Sequence, residues 1–189
     1  MIISNLSKKY GKKLVIDNFS LKIKDCGIYA ICGESGIGKT TLLRIISGLD
    51  KKYSGTIDYQ NITKISYVFQ EDRLLKNCTA FENVLLPISS KKNSEKIAKM
   101  WLEKMGLEND INTYPNEMSG GMKKRVALAR AFAYDGDIML LDEAFNGIDD
   151  KRAKSIMDMV IEYSKHKPCI VVTHNKEQLD YLGCNIINL

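Results

Sequence analysis

The chain has 189 residues, 44% hydrophobic and 27% charged, the proportions of a globular domain and not of a disordered tail or a membrane bundle. Lys and Arg number 28 against 23 Asp and Glu, a net charge of +5 that suits nucleotide, nucleic acid or an anionic membrane face and selects none of them. No apolar stretch approaches the ~20 residues needed to span a bilayer, and the N-terminus lacks the charged and apolar regions of a signal peptide. The five cysteines form no C-x-x-C pair and read as buried free thiols of a reducing compartment, which places the chain in the cytoplasm.

In residues 1–26, Phe19, Leu21 and Ile23 alternate with Ser20, Lys22 and Lys24, predicting a half-exposed strand after a turn at Gly11. Gly27 to Cys32 is a short apolar run suited to a buried strand. It leads into Gly33-Glu34-Ser35-Gly36-Ile37-Gly38-Lys39-Thr40-Thr41, a complete G-x-x-x-x-G-K-[ST] phosphate loop. The glycines let backbone N–H groups turn inward around an anion. Lys39 can reach the β- and γ-phosphates of ATP, and the Thr40 hydroxyl can ligate Mg²⁺. The run from Thr41 to Ile46 predicts a helix, whose N-terminus would also face the phosphates. Thr56 to Tyr59 and Ile65 to Phe69 are two further strand-like stretches.

The middle of the chain is helical in character. Ser94 is positioned to cap a helix with Glu95 in its first turn, an Ile97/Trp101/Met105 stripe flanked by Ala98 and Leu102, and Gly106 at its end. Ser119-Gly120-Gly121, ahead of an Ala/Leu helix, predicts a second anion-binding helix start. Asp137 to Leu141 reads as a buried strand that delivers Asp142 at its C-terminal end, where ligands gather in such sheets. Asp142 could hold Mg²⁺ opposite Thr40, and Glu143 could polarise an attacking water. A helix over 151–166, a buried strand over 169–173 and a short helix from Asn175 to Leu182 closed by Gly183 complete the chain. This alternation predicts an α/β fold: a phosphate-loop NTPase core with a mostly parallel sheet, an N-terminal antiparallel β layer and a small helical subdomain.

On these motifs and their order the chain resembles the ATP-binding-cassette (ABC) ATPases along essentially its whole length. The family's signature is usually Leu-Ser-Gly-Gly-Gln; here Met118 and Met122 flank the retained Ser119-Gly120-Gly121. The resemblance implies one domain over 1–189, with a helical subdomain over about 71–135 inserted in the core. It makes Tyr10 the aromatic that stacks on adenine, Gln70 the glutamine that touches Mg²⁺ or water, and His174 the residue that contacts the γ-phosphate. Asn146-Gly147-Ile148-Asp149 occupies the place of the family's Ser-Ala-Leu-Asp loop, with Asp149 retained and Asn146 in place of Ser. Ala144 stands where a proline is common. Lys39, Glu143 and His174 are then catalytic, and the chain ends at Leu189 like a minimal cassette without a regulatory domain.

The function implied is ATP-driven transport, with two copies closing head to tail over two Mg-ATP molecules. Membrane permease subunits would be separate chains, an extracytoplasmic substrate-binding protein would serve an importer, and no nucleic-acid partner is expected. The segment from Gln70 to about Pro87 carries the partner-facing surface and looks like importer cassettes; Phe81, Val84, Leu85 and Leu86 are its apolar residues, some of which must pack within the subdomain itself. The cassette would lie on the inner face of the cell membrane. The alternative is a non-membrane ABC ATPase acting on nucleic acid or the ribosome.

Overall fold

The computed structural model describes residues 1–189. In chain order the elements are β1 (Ile2–Tyr10), β2 (Lys13–Lys22), β3 (Gly27–Cys32), α1 (Lys39–Ile46), β4 (Ser54–Asp58), β5 (Ile65–Val68), α2 (Ala80–Leu85), α3 (Ser94–Lys104), α4 (Gly120–Tyr134), β6 (Ile138–Asp142), α5 (Asp150–Ser164), β7 (Pro168–Val172), α6 (Lys176–Leu182) and β8 (Asn185–Asn188). An antiparallel sheet has the order β2-β1-β4, and a wholly parallel sheet has the order β5-β6-β7-β3-β8. The sequence expectation of an antiparallel layer beside a parallel phosphate-loop sheet holds.

The central strands are apolar on both faces because both are covered. Along β6, Ile138 and Leu140 face one cluster and Met139 and Leu141 the other; along β7, Ile170 and Val172 oppose Cys169 and Val171. The first cluster packs α1, through Leu42, Leu43, Ile45 and Ile46, against the antiparallel sheet. The second packs α4 and α5 beneath the parallel sheet and extends into a layer formed by α2 and α3. Arg125 of α4 ties that layer together by donating to the carbonyls of Met105 and Gly106 at 2.7 and 2.8 Å, where α3 runs out of backbone partners.

Several local expectations need correction. Ser94 does not cap α3; it is the first helical residue, and Asn93 precedes it in a left-handed conformation (φ 61) without a side-chain cap. The buried line of α3 is Ala98, Leu102 and Met105, while Ile97 and Trp101 are half-buried on its flank. Trp101 is structural there, stacked on Phe132 with ring centroids 4.7 Å apart. Val84 is fully buried and cannot face a partner, because α2 spends that side of its two turns on the core. Among the cysteines only Cys169 is buried, and Cys26 is exposed in the turn before β3.

Candidate functional site

A cleft of about 800 Å³ opens at the C-terminal ends of β3, β6 and β7. The parallel register brings these ends together: Ala30 of β3 pairs with Val171 of β7, and Asp142 of β6 with Val172. The phosphate loop crosses this edge. Gly38 holds φ 123, and a Cβ there would lie 2.8 Å from Val15 Cγ1, so only glycine fits between the loop and β2. Helix α1 then starts at Lys39, two residues earlier than the sequence suggested.

Lys39 is buried, and its ammonium donates back to the carbonyls of Gly33 and Glu34, both at 2.8 Å. The loop is thereby closed on its own lysine, with the charge already aimed at the space an anion would fill. Ser35, Gly36, Thr40 and Thr41 line the same cleft. Ile37 does not; its side chain lies 3.1 Å from where a Cβ at Gly33 would be and borders an apolar patch with Leu14, Phe19 and Leu189, so only its backbone belongs to the loop.

Opposite the loop stand two buried carboxylates. Asp142 is 1% exposed, and neither of its oxygens has a hydrogen-bond partner. Burial holds its pKa above the usual carboxylate range, against the lowering influence of Thr40 and Tyr67. Glu143 Oε2 accepts from Asn146 Nδ2 at 3.1 Å, and its other oxygen has no hydrogen-bond partner. His174 Nε2 lies 3.4 Å from that Oε1, an ion-pair distance without hydrogen-bond alignment. Burial raises the Glu143 pKa, and the His174 charge and the Asn146 amide pull it down.

Buried carboxylate oxygens without partners are costly unless a ligand completes them. No three His, Cys, Asp or Glu side chains converge anywhere in the chain. A cation at Asp142 would therefore take few protein ligands, here Asp142 and the Thr40 hydroxyl, and share phosphate oxygens. That is the habit of Mg²⁺, and the residues fit it. Gln70 lines the cleft on the other side, just beyond the end of β5.

Tyr10 sits at the cleft mouth, 48% exposed. Its hydroxyl donates to Asp50 Oδ2 at 2.9 Å, and the buried Lys8 ammonium lies 4.6 Å from its ring centroid. One ring face is thus occupied by a cation and the other is left for a flat ligand. The residues on either side of His174 are fixed, since Thr173 donates to Gln178 at 2.7 Å and Asn175 accepts from the Gln178 amide to cap α6, while the His174 side chain itself is exposed.

Besides Ile37, the loop residues Gly33 and Glu34 do not line the cleft, and four expected site residues lie away from the loop altogether: Ser119, Gly120, Gly121 and Asp149. Ser119 caps α4 by accepting from Met122 N at 3.2 Å, and Ser119 and Gly120 are exposed. Gly121 packs against the carbonyl of Gly147, and Asp149 caps α5 through the Arg152 amide. These residues could meet a nucleotide only if it were held by another copy. Sequence reasoning missed the contact of Asn146 with Glu143, and also Lys13 and Asn175 in the cleft wall. Lys13 was open to discovery, since a tight turn at Gly11 pairs it with Tyr10.

No helix is long and apolar enough to cross a membrane. The chain is 34% identical to the methionine import ATP-binding protein MetN of Clostridium tetani over 99% of its length and 65% of that protein. It is 36% identical to the aliphatic sulfonates import ATP-binding protein SsuB of Bacillus cereus over 96% of its length and 76% of that protein. It thus spans about two thirds or less of the methionine-import relatives it matches, 65% and 63% in two of them. A solved structure of the ATP-binding cassette MJ0796, dimeric and bound to ADP and Pi after hydrolysis, superposes with a TM-score of 0.91 at 32% identity, covering 100% of this chain and 93% of that one. The ABC transporter family model matches residues 16–146, and with this fold and these relatives the chain belongs to the ABC transporter family.

Proposed function

We propose that the chain is the ATP-binding and ATP-hydrolysing subunit of an ABC importer. One observation carries this reading: the phosphate loop, with Lys39 and Thr40, faces two buried carboxylates, and both oxygens of Asp142 and one of Glu143 lack partners. Lys39 would exchange its two loop carbonyls for phosphate oxygens, and the N-terminus of α1 would add backbone donors. Asp142, Thr40 and Gln70 would hold Mg²⁺, which when bound neutralises charge developing on the phosphates. Glu143 would accept hydrogen bonding from the attacking water, with His174 beside it at the γ-phosphate. Tyr10 would stack on the adenine.

The exposed start of α4 at Ser119-Gly120-Gly121 supports a head-to-tail homodimer in which each copy completes the other's site. Domain 1–189 would be a single cassette, with the helices of 71–135 as its inserted subdomain. Separate permease subunits would hold the cassette at the cytoplasmic face of the membrane, and a substrate-binding protein would deliver solute. A second groove of about 400 Å³, lined by Leu49, Tyr67, Phe69, Arg73, Pro87 and Arg130, lies between α1 and the helical layer and offers the permease a docking surface.

The test is Mg-dependent ATP hydrolysis by the purified chain and by its Lys39→Ala variant. Turnover in the wild type and its loss in the variant support the reading; equal turnover in both overturns it.

A further inference from the structure

Lys124 lies in the second turn of α4 and is 5% exposed. Its ammonium donates to the carbonyl of Gln70 at 2.8 Å and of Phe69 at 3.1 Å, and sits 3.4 Å from Asp72 Oδ1. Six residues further along α4, Arg130 donates to the carbonyl of Arg73 at 3.1 Å and of Asp72 at 3.5 Å. Two cationic side chains of one helix therefore grip four carbonyls in the segment that follows β5.

The far half of that segment is held by the buried Asn83, which accepts from Leu75 N and donates to the carbonyls of Leu75, Cys78 and Thr79, so it is the half beside Gln70 that depends on α4. No helix or strand intervenes between Val68 and Ala80. Arg73 sits at φ 45, a strained conformation for a side chain of its size, and its guanidinium lies over the Phe69 ring at 4.2 Å. A buried ammonium is costly unless fully partnered. Every polar partner of Lys124 comes from residues 69–72, so the contact is specific to this segment.

We propose that Lys124 is a positioning residue for Gln70. It fastens the segment carrying Gln70 to α4, the helix that opens at Ser119-Gly120-Gly121. The Gln70 amide is thereby held at the cleft by the signature helix and not by its own strand. A shift of α4 would carry Gln70 with it, so the start of α4 and the cleft wall move as one body. Asp72 neutralises the lysine, but the two carbonyls do the holding.

This inference rests on the ATPase reading for its kinetic arm only. Lys124→Met keeps the apolar stem and removes the donors. The expected result is a fall in kcat of roughly 10-fold, the scale of a small displacement at a reacting centre, with the KM for ATP unchanged within about twofold. Hydrogen exchange should quicken at the amides of residues 70–76 and stay unchanged in α1. Asp72→Asn leaves the carbonyl bonds in place and should keep kcat near wild type. Unchanged exchange over 70–76 in Lys124→Met overturns the proposal, as does a loss in Asp72→Asn equal to that in Lys124→Met. If the wild type hydrolyses no ATP, the functional reading fails and the exchange arm still decides the role of Lys124.

Discussion

Asn146 Nδ2 donates to Glu143 Oε2 at 3.1 Å, so the residue after the β6 strand end is held by the loop that follows it. Glu143 needs holding. Its φ is 48, a left-handed conformation that costs a non-glycine residue about 1–3 kcal/mol and persists only where the surroundings over-determine it. Here the Glu143 N–H donates to Val172 O at 2.9 Å and the side chain is buried. The Asn146 amide leaves Oε1 as the oxygen free to act on water.

Removing that carboxylate should separate binding from chemistry. Glu143→Gln should bind ATP like the wild type and lose roughly 10²–10⁴ in kcat, the usual worth of a general base. Asn146→Ala should lower kcat less, by about tenfold, with little change in ATP affinity. Single-turnover hydrolysis beside nucleotide titration measures both; unimpaired turnover in Glu143→Gln would move the base role to His174.

Gly120 and Gly121 should respond differently to the same added methyl. A Cβ at Gly121 would lie 2.5 Å from the Gly147 carbonyl, whereas one at Gly120 meets nothing within 4 Å. Gly121→Ala should therefore cost about 1–3 kcal/mol of stability by forcing the backbone apart. Gly120→Ala should fold at least as well as the wild type yet fail to form an ATP-dependent dimer, if this exposed turn meets a partner's nucleotide. Thermal melts and sizing columns with Mg-ATP read the two effects.

Lys8 and Asp50 form a pH-sensitive brace beneath Tyr10. The ammonium is buried and donates to Asp50 Oδ1 at 2.7 Å, which is the chief reason the Asp50 pKa lies below its usual value. A depressed folded-state pKa means stability that is present above the unfolded value of about 4 and is lost as pH falls through the lower folded one. Asp50→Asn should destabilise the protein by about 2 kcal/mol at pH 7, and the difference from wild type should shrink below about pH 4. Denaturant melts across pH test it; a constant gap would refute the brace.

Leu49 is 59% exposed and lines the groove between α1 and the helical layer, whereas Phe81 lies outside that groove and packs on the helical core. Leu49→Glu should weaken co-purification with a permease and leave ATP hydrolysis by the isolated chain intact. Val84→Glu buries a charge and should unfold the helical layer instead, at a cost of several kcal/mol. Retention of the complex in folded Leu49→Glu would put docking elsewhere.

The sequence by itself determined the fold class and displayed the motifs of the cleft. A phosphate loop needs glycines, a lysine and a hydroxyl at fixed spacing, and an acid delivered to the edge of a buried sheet needs an apolar strand before it. These demands are local, and Gly33 to Thr41 and Ile138 to Glu143 display them in linear order. The tertiary structure alone decided the partnerships. Lys124 reads as one more basic residue in a Lys-Lys-Arg run, yet it binds carbonyls 54 and 55 residues away. Lys8 finds Asp50 across 42 residues. A backbone carbonyl is the same at every residue, so a side chain that binds one leaves no pairing signal in the sequence. Only the packing of α4 against the segment after β5, and of β1 against the end of α1, creates those contacts. Likewise the exposure of Ser119 is a property of how α4 is set against the sheet and not of the residues that begin it.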